Sequence, residues 1–262
     1  STTQTAALAA ERLIDAGAVF VGKTNVPIQL ADWQSYSAIY DTTRNPWNLD
    51  MTPGGSSGGS VAALAAGMTA LQAGSDIGAS IRNPAHYCGV FGLKPTYGLI
   101  PPRGQARPGI VAAADISVVG PLTRSARDLE LALSVMAGPD LLDDAAWHLE
   151  LPEPPQKALK DFRVAVKLDD PNSEVDRAYQ DKLQALADAL ARAGATVSDT
   201  ARPDIDTRRL HEVYILLLRA ATSGRMPDGD VERWQRVKAE LTPQDKSYVA
   251  QMARGNTLSH RD

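Results

Sequence analysis

Segments with a helical pattern of apolar residues alternate along this chain with short apolar runs typical of strands. Residues 5–16 carry apolar side chains at helical spacing and are followed by Gly17, a common helix terminator. Residues 18–21 form a short run of strand formers, and residues 61–66 predict a helix of small apolar residues that ends at Gly67. Because helices and strands alternate without a repeat of fixed period, the sequence predicts an α/β fold.

The second half of the chain continues this alternation after a break. Ser125 is placed to cap a helix that ends before Gly138 and Pro139, and the proline-rich, acidic residues 139–160 predict a connecting segment. Beyond this segment, we expect one strand and two helices, at residues 163–167, 176–193 and 207–221.

Composition excludes several classes of function. The 262 residues carry a net charge of -4 without basic runs, which disfavours nucleic-acid binding. The single cysteine, Cys88, rules out an internal disulfide and leaves no Cys/His cluster for a metal, so a buried structural role is expected for it. No apolar run approaches the roughly 18 residues of a membrane span, and residues 1–4 lack the basic start of a signal peptide. We therefore expect a cytoplasmic protein that needs neither metal nor cofactor.

Residues 17–24 match the phosphate-binding pattern GxxxxGK[ST]. That motif requires a strand, a glycine-rich loop and then a helix, whereas the middle of this segment is itself strand-like and Pro27 follows it closely. The pattern therefore favours a helix, strand and turn over a nucleotide site.

Residues 54–58 match the nucleophile-elbow pattern GxSxG of α/β-hydrolases. The elbow needs a hydrophobic strand before it, which residues 48–53 do not provide. It also needs a later histidine as base, and none of the four available histidines has a recognisable context: His86, His148, His211 and His260. We therefore do not assign a Ser-His triad.

Two turns rich in serine and glycine lie close together, at residues 52–60 (TPGGSSGGS) and 74–82 (GSDIGASIR). Such composition also suits ordinary surface turns. Here, however, each turn adjoins an apolar segment, and small residues let backbone amides approach a ligand as an oxyanion site requires. The two turns are therefore the candidate site.

Five short motifs occur in one order between residues 22 and 102, and together they resemble the amidase signature family. They are Gly22-Lys23-Thr24-Asn25, Asn45-Pro46-Trp47, Pro53-Gly54-Gly55-Ser56-Ser57-Gly58-Gly59, Asp76-Ile77-Gly78-Ala79-Ser80-Ile81-Arg82 and Gly92-Leu93-Lys94-Pro95-Thr96. Weaker similarity continues to about residue 195. The resemblance implies one domain over residues 1–262 with its signature core at 22–138, and a mixed central sheet covered by helices on both faces.

By the same resemblance, the family's Ser, cis-Ser, Lys triad places the nucleophile at Ser80 and the bridging serine at Ser56, preceded by a cis peptide bond. The lysine takes a proton from Ser56 while Ser56 takes one from Ser80. The implied oxyanion donors are the backbone amides of Ile77, Gly78, Ala79 and Ser80.

Supporting roles are expected for three further residues. Ser57 is expected to fix its loop by hydrogen bonding, and Asp76 is expected to pair with Arg82 and brace the second turn.

This sequence departs from the family pattern in two places. Ala79 stands where the family usually has glycine, which affects substrate range or efficiency more than mechanism. The catalytic lysine of the family precedes the first turn by more residues than this chain has, and Lys23 and Lys94 belong to other motifs. We therefore expect this sequence to be an internal portion of a longer amidase, with a naturally shortened, inactive relative as the alternative.

The resemblance implies hydrolysis of a small-molecule acylamide through an acyl-serine intermediate. Two alternatives stay open: a non-catalytic scaffold with the amidase fold, favoured by the missing lysine, and the glutaminase subunit of a tRNA-dependent amidotransferase. Residues 99–104 differ from the usual continuation in the glutaminase subunits and favour the acylamide-hydrolysing branch. The substrate and the oligomeric state are left open, with a homodimer as one alternative.

Overall fold

The computed structural model describes residues 6–105, 114–224 and 226–258. The chain divides into two compact units, Ser1–Leu149 and Glu150–Asp262, which we describe separately. The single domain expected over residues 1–262 stays a prediction.

The first unit contains short helices and an antiparallel sheet. Its elements are α1 (Leu8–Asp15), β1 (Tyr36–Ser37), β2 (Asp41–Thr42), α2 (Gly58–Ala65), β3 (Leu71–Asp76), α3 (Arg82–Cys88), β4 (Phe91–Gly92), β5 (Val118–Thr123) and α4 (Ala126–Met136). The strand order of the main sheet is β3-β5-β4, with both pairs antiparallel, and β1 pairs with β2.

The core lies on both sides of β5, whose six residues are all buried. One cluster joins α2 and α3 to β5, and the other joins α1 and α4 to it. The first cluster consists of Val61, Leu64, Ile81, Ala85, Cys88 and Leu122, and the second of Ala9, Ile100, Val119, Ala132 and Met136. This packing fixes the start of α2 and the turn between β3 and α3, which carry the candidate site.

The strand predicted at residues 18–21 is wrong. This segment is irregular, and Val19, Phe20 and Val21 are 87%, 62% and 75% exposed. A strand requires a partner for its backbone groups, and no strand of the described residues pairs with this run. No helix follows Thr24 directly in the described part of the chain, so residues 17–24 lack the context of a phosphate-binding loop.

Helix α4 agrees closely with its prediction. The Ser125 hydroxyl accepts a hydrogen bond from the Asp128 amide at 3.1 Å, and the helix ends at Met136, just before Gly138. A side-chain acceptor at this position satisfies one of the amides that the first helical turn leaves unpaired. The helices predicted at 5–16 and 61–66 also form, as α1 and α2, although residue 5 lies outside the described residues.

The second unit combines one parallel strand pair with four helices in its described part. Its elements are β6 (Arg163–Ala165), α5 (Arg177–Arg192), β7 (Thr196–Ser198), α6 (Thr207–Ser223), α7 (Asp228–Glu240) and α8 (Tyr248–Asn256). Strand β6 pairs with β7, and α8 packs against both α6 and α7. The strand and two helices predicted for this region are confirmed, and with them the α/β class.

Among the described residues, no helix combines the length and apolar character needed to cross a bilayer.

Candidate active site

The turn between β3 and α3 is organised around the buried carboxylate of Asp76. Its two oxygens accept hydrogen bonds from the backbone amides of Ala79 at 2.9 Å, Ile81 at 3.0 Å and Arg82 at 3.2 Å. The Arg82 guanidinium adds two more, at 2.9 and 3.0 Å. One carboxylate thus holds both ends of the turn, and Asp76 and Arg82 pair as the sequence suggested.

The environment of Asp76 favours its ionised form. Burial alone would raise the pKa of this carboxyl, but the hydrogen bonds from the Arg82 side chain and the Ile81 amide outweigh burial and lower the pKa below its usual value. Asp76 is therefore an anion that structures the turn, whereas a proton carrier would need a pKa near neutrality.

The structure changes the expected set of oxyanion donors. Because the Ala79 amide donates to Asp76, it is already committed within the protein, and we withdraw Ala79 from that set. In the described part of the chain, the amides of Gly78 and Ser80 donate to no other residue. Ile77 lies directly after β3 and is half-buried.

Ala79 adopts a backbone conformation that alanine rarely takes. Its φ angle is +77°, in the left-handed region where glycine is favoured. The family's preference for glycine at this position therefore has a physical reason. In this chain, alanine occupies the same conformation and bears its conformational cost.

The first turn leads directly into α2. The Gly55–Ser56 peptide bond is cis, as the family resemblance implies. No strand leads directly into Gly54, so the context of a nucleophile elbow is absent from this part of the structure.

The Ser35 side chain makes two hydrogen bonds to the first turn, although no sequence motif pointed to this residue. Its buried hydroxyl donates to the Gly54 carbonyl at 3.2 Å and accepts from the Gly58 amide at 3.0 Å. A Cβ atom at Gly58 would lie 2.2 Å from this hydroxyl oxygen, so the close approach requires glycine. The glycine itself is the only sequence signal for this contact.

The two turns are in direct contact. The Ser57 amide donates to the Ser80 carbonyl at 3.2 Å, so a backbone hydrogen bond of Ser57 joins its loop to the second turn. A Cβ at Gly74 on β3 would lie 2.8 Å from the Ser57 hydroxyl oxygen. Ser56 and Ser80 are 2% and 6% exposed. The structure thus brings both predicted catalytic serines into one buried region.

The Gly-Lys-Thr-Asn motif packs beside the start of α2. The Thr24 and Ser60 hydroxyls lie 2.8 Å apart, and the Gly59 amide donates to the Asn25 carbonyl at 3.2 Å. Lys23 of this motif is exposed and Lys94 is half-buried. Within the described ranges, neither lysine donates a hydrogen bond to Ser56 or Ser80.

This arrangement suits nucleophilic catalysis on a carbonyl group. The buried Ser80 lies on a turn whose Gly78 and Ser80 amides donate to no other described residue. The buried Ser56 lies on the adjoining turn. The described residues contain no cluster of three His, Cys, Asp or Glu side chains that could hold a metal ion.

Comparison with known proteins shows the family of this chain. The family described as Amidase matches residues 1–260. A glutamyl-tRNA(Gln) amidotransferase subunit from Deinococcus deserti is 42% identical over 225 residues, which cover 83% of this chain and 44% of that protein. The chain spans about half the length of the curated relatives it matches.

Two solved structures are similar over most of the chain. Fatty acid amide hydrolase superposes with a TM-score of 0.73 at 28% identity, covering 98% of this chain and 44% of that one. The corresponding glutamyl-tRNA(Gln) amidotransferase subunit from Thermotoga maritima superposes with a TM-score of 0.71 at 29% identity, covering 89% and 52%. The sequence motifs agree with the family match over residues 1–260: the chain belongs to the amidase signature family.

Proposed function

We propose that this protein hydrolyses a carboxylic amide of a small molecule through an acyl-Ser80 intermediate. The observation that carries the proposal is the buried Ser80 on a turn whose Gly78 and Ser80 amides donate to no other described residue. Family membership and the likeness to fatty acid amide hydrolase support the reaction class.

The reaction proceeds in two halves. Ser80 Oγ attacks the amide carbonyl carbon while its proton passes to Ser56, and the proton of Ser56 passes to a base. When the tetrahedral intermediate collapses, the C–N bond breaks and the amine leaves with a proton returned through Ser56. Water then attacks the acyl-serine ester, which releases the carboxylic acid and regenerates Ser80.

The oxyanion of each tetrahedral intermediate accepts hydrogen bonds from the backbone amides of Gly78 and Ser80, and the amide of Ile77 stays a predicted donor. Removing one such donor in other hydrolases costs about 3 to 4 kcal/mol of transition-state stabilisation. The Asp76 network, which holds the turn by both ends, is therefore the support on which this step depends.

The base that accepts the Ser56 proton is a lysine by family resemblance. Lys23 and Lys94 hold positions in other motifs, so we assign neither to this role. Replacing each with methionine tests that assignment, because both variants should still react with a fluorophosphonate at Ser80. The cytoplasmic location and the homodimer stay predictions.

A glutaminase role within an amidotransferase is the second candidate. It is favoured by the 42% identity to the glutamyl-tRNA(Gln) amidotransferase subunit of Deinococcus deserti. In that case, the amide hydrolysed is the side chain of glutamine and ammonia is the released amine. A scaffold without catalysis is the remaining alternative.

Labelling with a fluorophosphonate tests the proposed nucleophile. We expect one adduct, on Ser80, that disappears in Ser80→Ala and persists in the control Ser134→Ala, which removes a hydroxyl of α4 outside the two turns. Tandem fragmentation is required, because a tryptic peptide from residue 45 to 82 contains Ser56 and Ser57 as well. A folded protein without an adduct on Ser80 would favour the scaffold.

Substrate assays then separate the two catalytic candidates. Release of amine from acyl anilides and alkyl amides supports the acylamide hydrolase. Release of ammonia from glutamine without hydrolysis of acylamides supports the glutaminase instead.

A further inference from the structure

Trp33 contacts the turn between β3 and α3, residues 77–81, which we call the Ser80 turn. The two lie far apart in the sequence. The indole Nε1–H of Trp33 donates to the Gly78 carbonyl at 2.7 Å, across 45 residues of chain. The side chain is otherwise largely open to solvent, with 58% of the residue exposed. Core packing therefore does not explain the placement of this ring, whereas its directed polar contact does.

The peptide unit between Gly78 and Ala79 is held at both ends. Trp33 binds its carbonyl oxygen, and Asp76 accepts from its N–H at 2.9 Å. Rotation of this peptide plane would break both hydrogen bonds and would turn the carbonyl towards the Asp76 carboxylate.

The conformation of Ala79 makes this restraint necessary. Rotation of the Gly78–Ala79 plane changes φ of Ala79, which is +77° in the present orientation. Alanine disfavours positive φ, so its intrinsic preference favours the rotated orientation. The Trp33 and Asp76 hydrogen bonds oppose that preference.

We propose that Trp33 is a positioning residue that keeps the Gly78 and Ser80 amides oriented for the oxyanion. The proposal rests on the hydrolytic function proposed above. The two amides belong to the peptide units on either side of the clamped one, so a change in φ of Ala79 that ψ of Gly78 does not compensate would displace them. Trp33 acts through the backbone of the turn and is not a catalytic residue.

Trp33→Phe tests the proposal by removing the indole N–H while keeping an aromatic ring. The matched control is Trp47→Phe, which removes an equivalent hydrogen bond of 2.8 Å to the Cys88 carbonyl, also from an exposed tryptophan. For one lost hydrogen bond, we expect about a tenfold slower reaction of Ser80 with a fluorophosphonate in Trp33→Phe and an unchanged rate in Trp47→Phe. With an amide substrate, kcat should fall while KM is retained.

A second substitution separates positioning from a general loss of folding. Glycine accepts either orientation of the peptide plane, so Ala79→Gly should restore part of the labelling rate in the Trp33→Phe background. A purely structural role for Trp33 predicts that Ala79→Gly raises the melting temperature of Trp33→Phe but leaves the labelling rate unchanged at a temperature where both variants are fully folded. If Trp33→Phe lowers the melting temperature, benzothienylalanine at position 33 removes the N–H with less change in shape.

Hydrogen exchange of the Ala79 amide, followed by NMR, gives a readout that does not need catalysis. We expect protection in the wild type and in Trp47→Phe, and faster exchange in Trp33→Phe. Unchanged Ala79 exchange in Trp33→Phe, or equal slowing of labelling in both tryptophan variants, overturns the proposal. Absence of wild-type labelling overturns the hydrolytic function instead, and exchange alone then decides whether Trp33 orients the turn.

Discussion

Ala79 is the residue whose backbone conformation departs most clearly from its intrinsic preference within the Ser80 turn. A left-handed φ costs a residue other than glycine roughly 1 to 2 kcal/mol, and replacement by glycine removes this cost. The greater conformational freedom of glycine in the unfolded chain offsets part of the stability gained. We therefore expect Ala79→Gly to raise the free energy of unfolding by about 1 kcal/mol or slightly less, measured by urea denaturation.

The same substitution in a regular helix should have the opposite sign. Ala62 lies in the middle of α2, where glycine should lower the free energy of unfolding by about 1 kcal/mol. If Ala79→Gly destabilises the protein as much as Ala62→Gly does, the left-handed conformation of Ala79 is contradicted.

The lowered pKa of Asp76 predicts that the folded protein loses stability in acid. Since this pKa is lowered in the folded state, the contribution of Asp76 is fully present above the unfolded value of about 3.9 and is lost as pH falls through the folded pKa. Asp76→Asn should therefore be less stable at neutral pH, by about 2 kcal/mol or more, and should show a flatter pH dependence below about pH 4.

The control for this charge removal is Asp50→Asn, which changes an exposed aspartate of the same unit. Stability is compared by urea denaturation at several pH values for the three proteins. Parallel pH curves for Asp76→Asn and the wild type would show that Asp76 does not contribute in this way.

Among individual residues, the sequence predicted the site residues that lie within short motifs but not those that reach the site from elsewhere in the chain. Ser56, Ser80, Asp76 and Arg82 are all members of two contiguous motifs. Trp33 contacts a partner 45 residues away through a single indole N–H, and no local pattern marks such a contact. Ser35 was missed for the same reason.

At the scale of elements, the start of α2 depends on the close approach of Ser35. Gly58→Ala would place a methyl group 2.2 Å from the hydroxyl oxygen of Ser35, which is fully buried. We expect a loss of about 1 to 3 kcal/mol in the free energy of unfolding, measured by urea denaturation, and slower labelling of Ser80.

Gly229→Ala in α7 is the matched control, because a Cβ there meets nothing within 4 Å. It should be neutral or stabilise the protein by up to about 1 kcal/mol, since alanine is the better helix former. Equal destabilisation by both substitutions would argue against a specific contact at Gly58.

Elements with local end signals were predicted well, and elements that depend on tertiary contacts were not. Helix α5 begins after Asp176, whose carboxylate accepts from two amides of the first turn, as a capping residue should. Strand β5 was missed because Pro121 lies within it, and proline argues against a central strand. Strand β5 nevertheless forms between β3 and β4 and is buried along its whole length, which the sequence does not reveal.

At the scale of the whole molecule, the segment that ends the first unit and begins the second is a predicted site of proteolysis. Residues 141–157 contain no regular helix or strand and are almost entirely exposed. Limited digestion with a glutamate-specific protease should cleave first after Glu150 and release fragments that correspond to the two units. First cleavage after a glutamate within a helix, such as Glu130 in α4, would contradict this expectation.

The burial of Cys88 provides a means of timing the opening of the core. The chain has one thiol, it is fully buried against α2, and burial raises its pKa to about 11. The reactive thiolate is thus scarce at neutral pH even before access is considered. Each molecule that reacts with a maleimide or a disulfide reagent must first expose the packing of α2 against α3. The rate at which Cys88 is alkylated under native conditions therefore measures how often this packing opens.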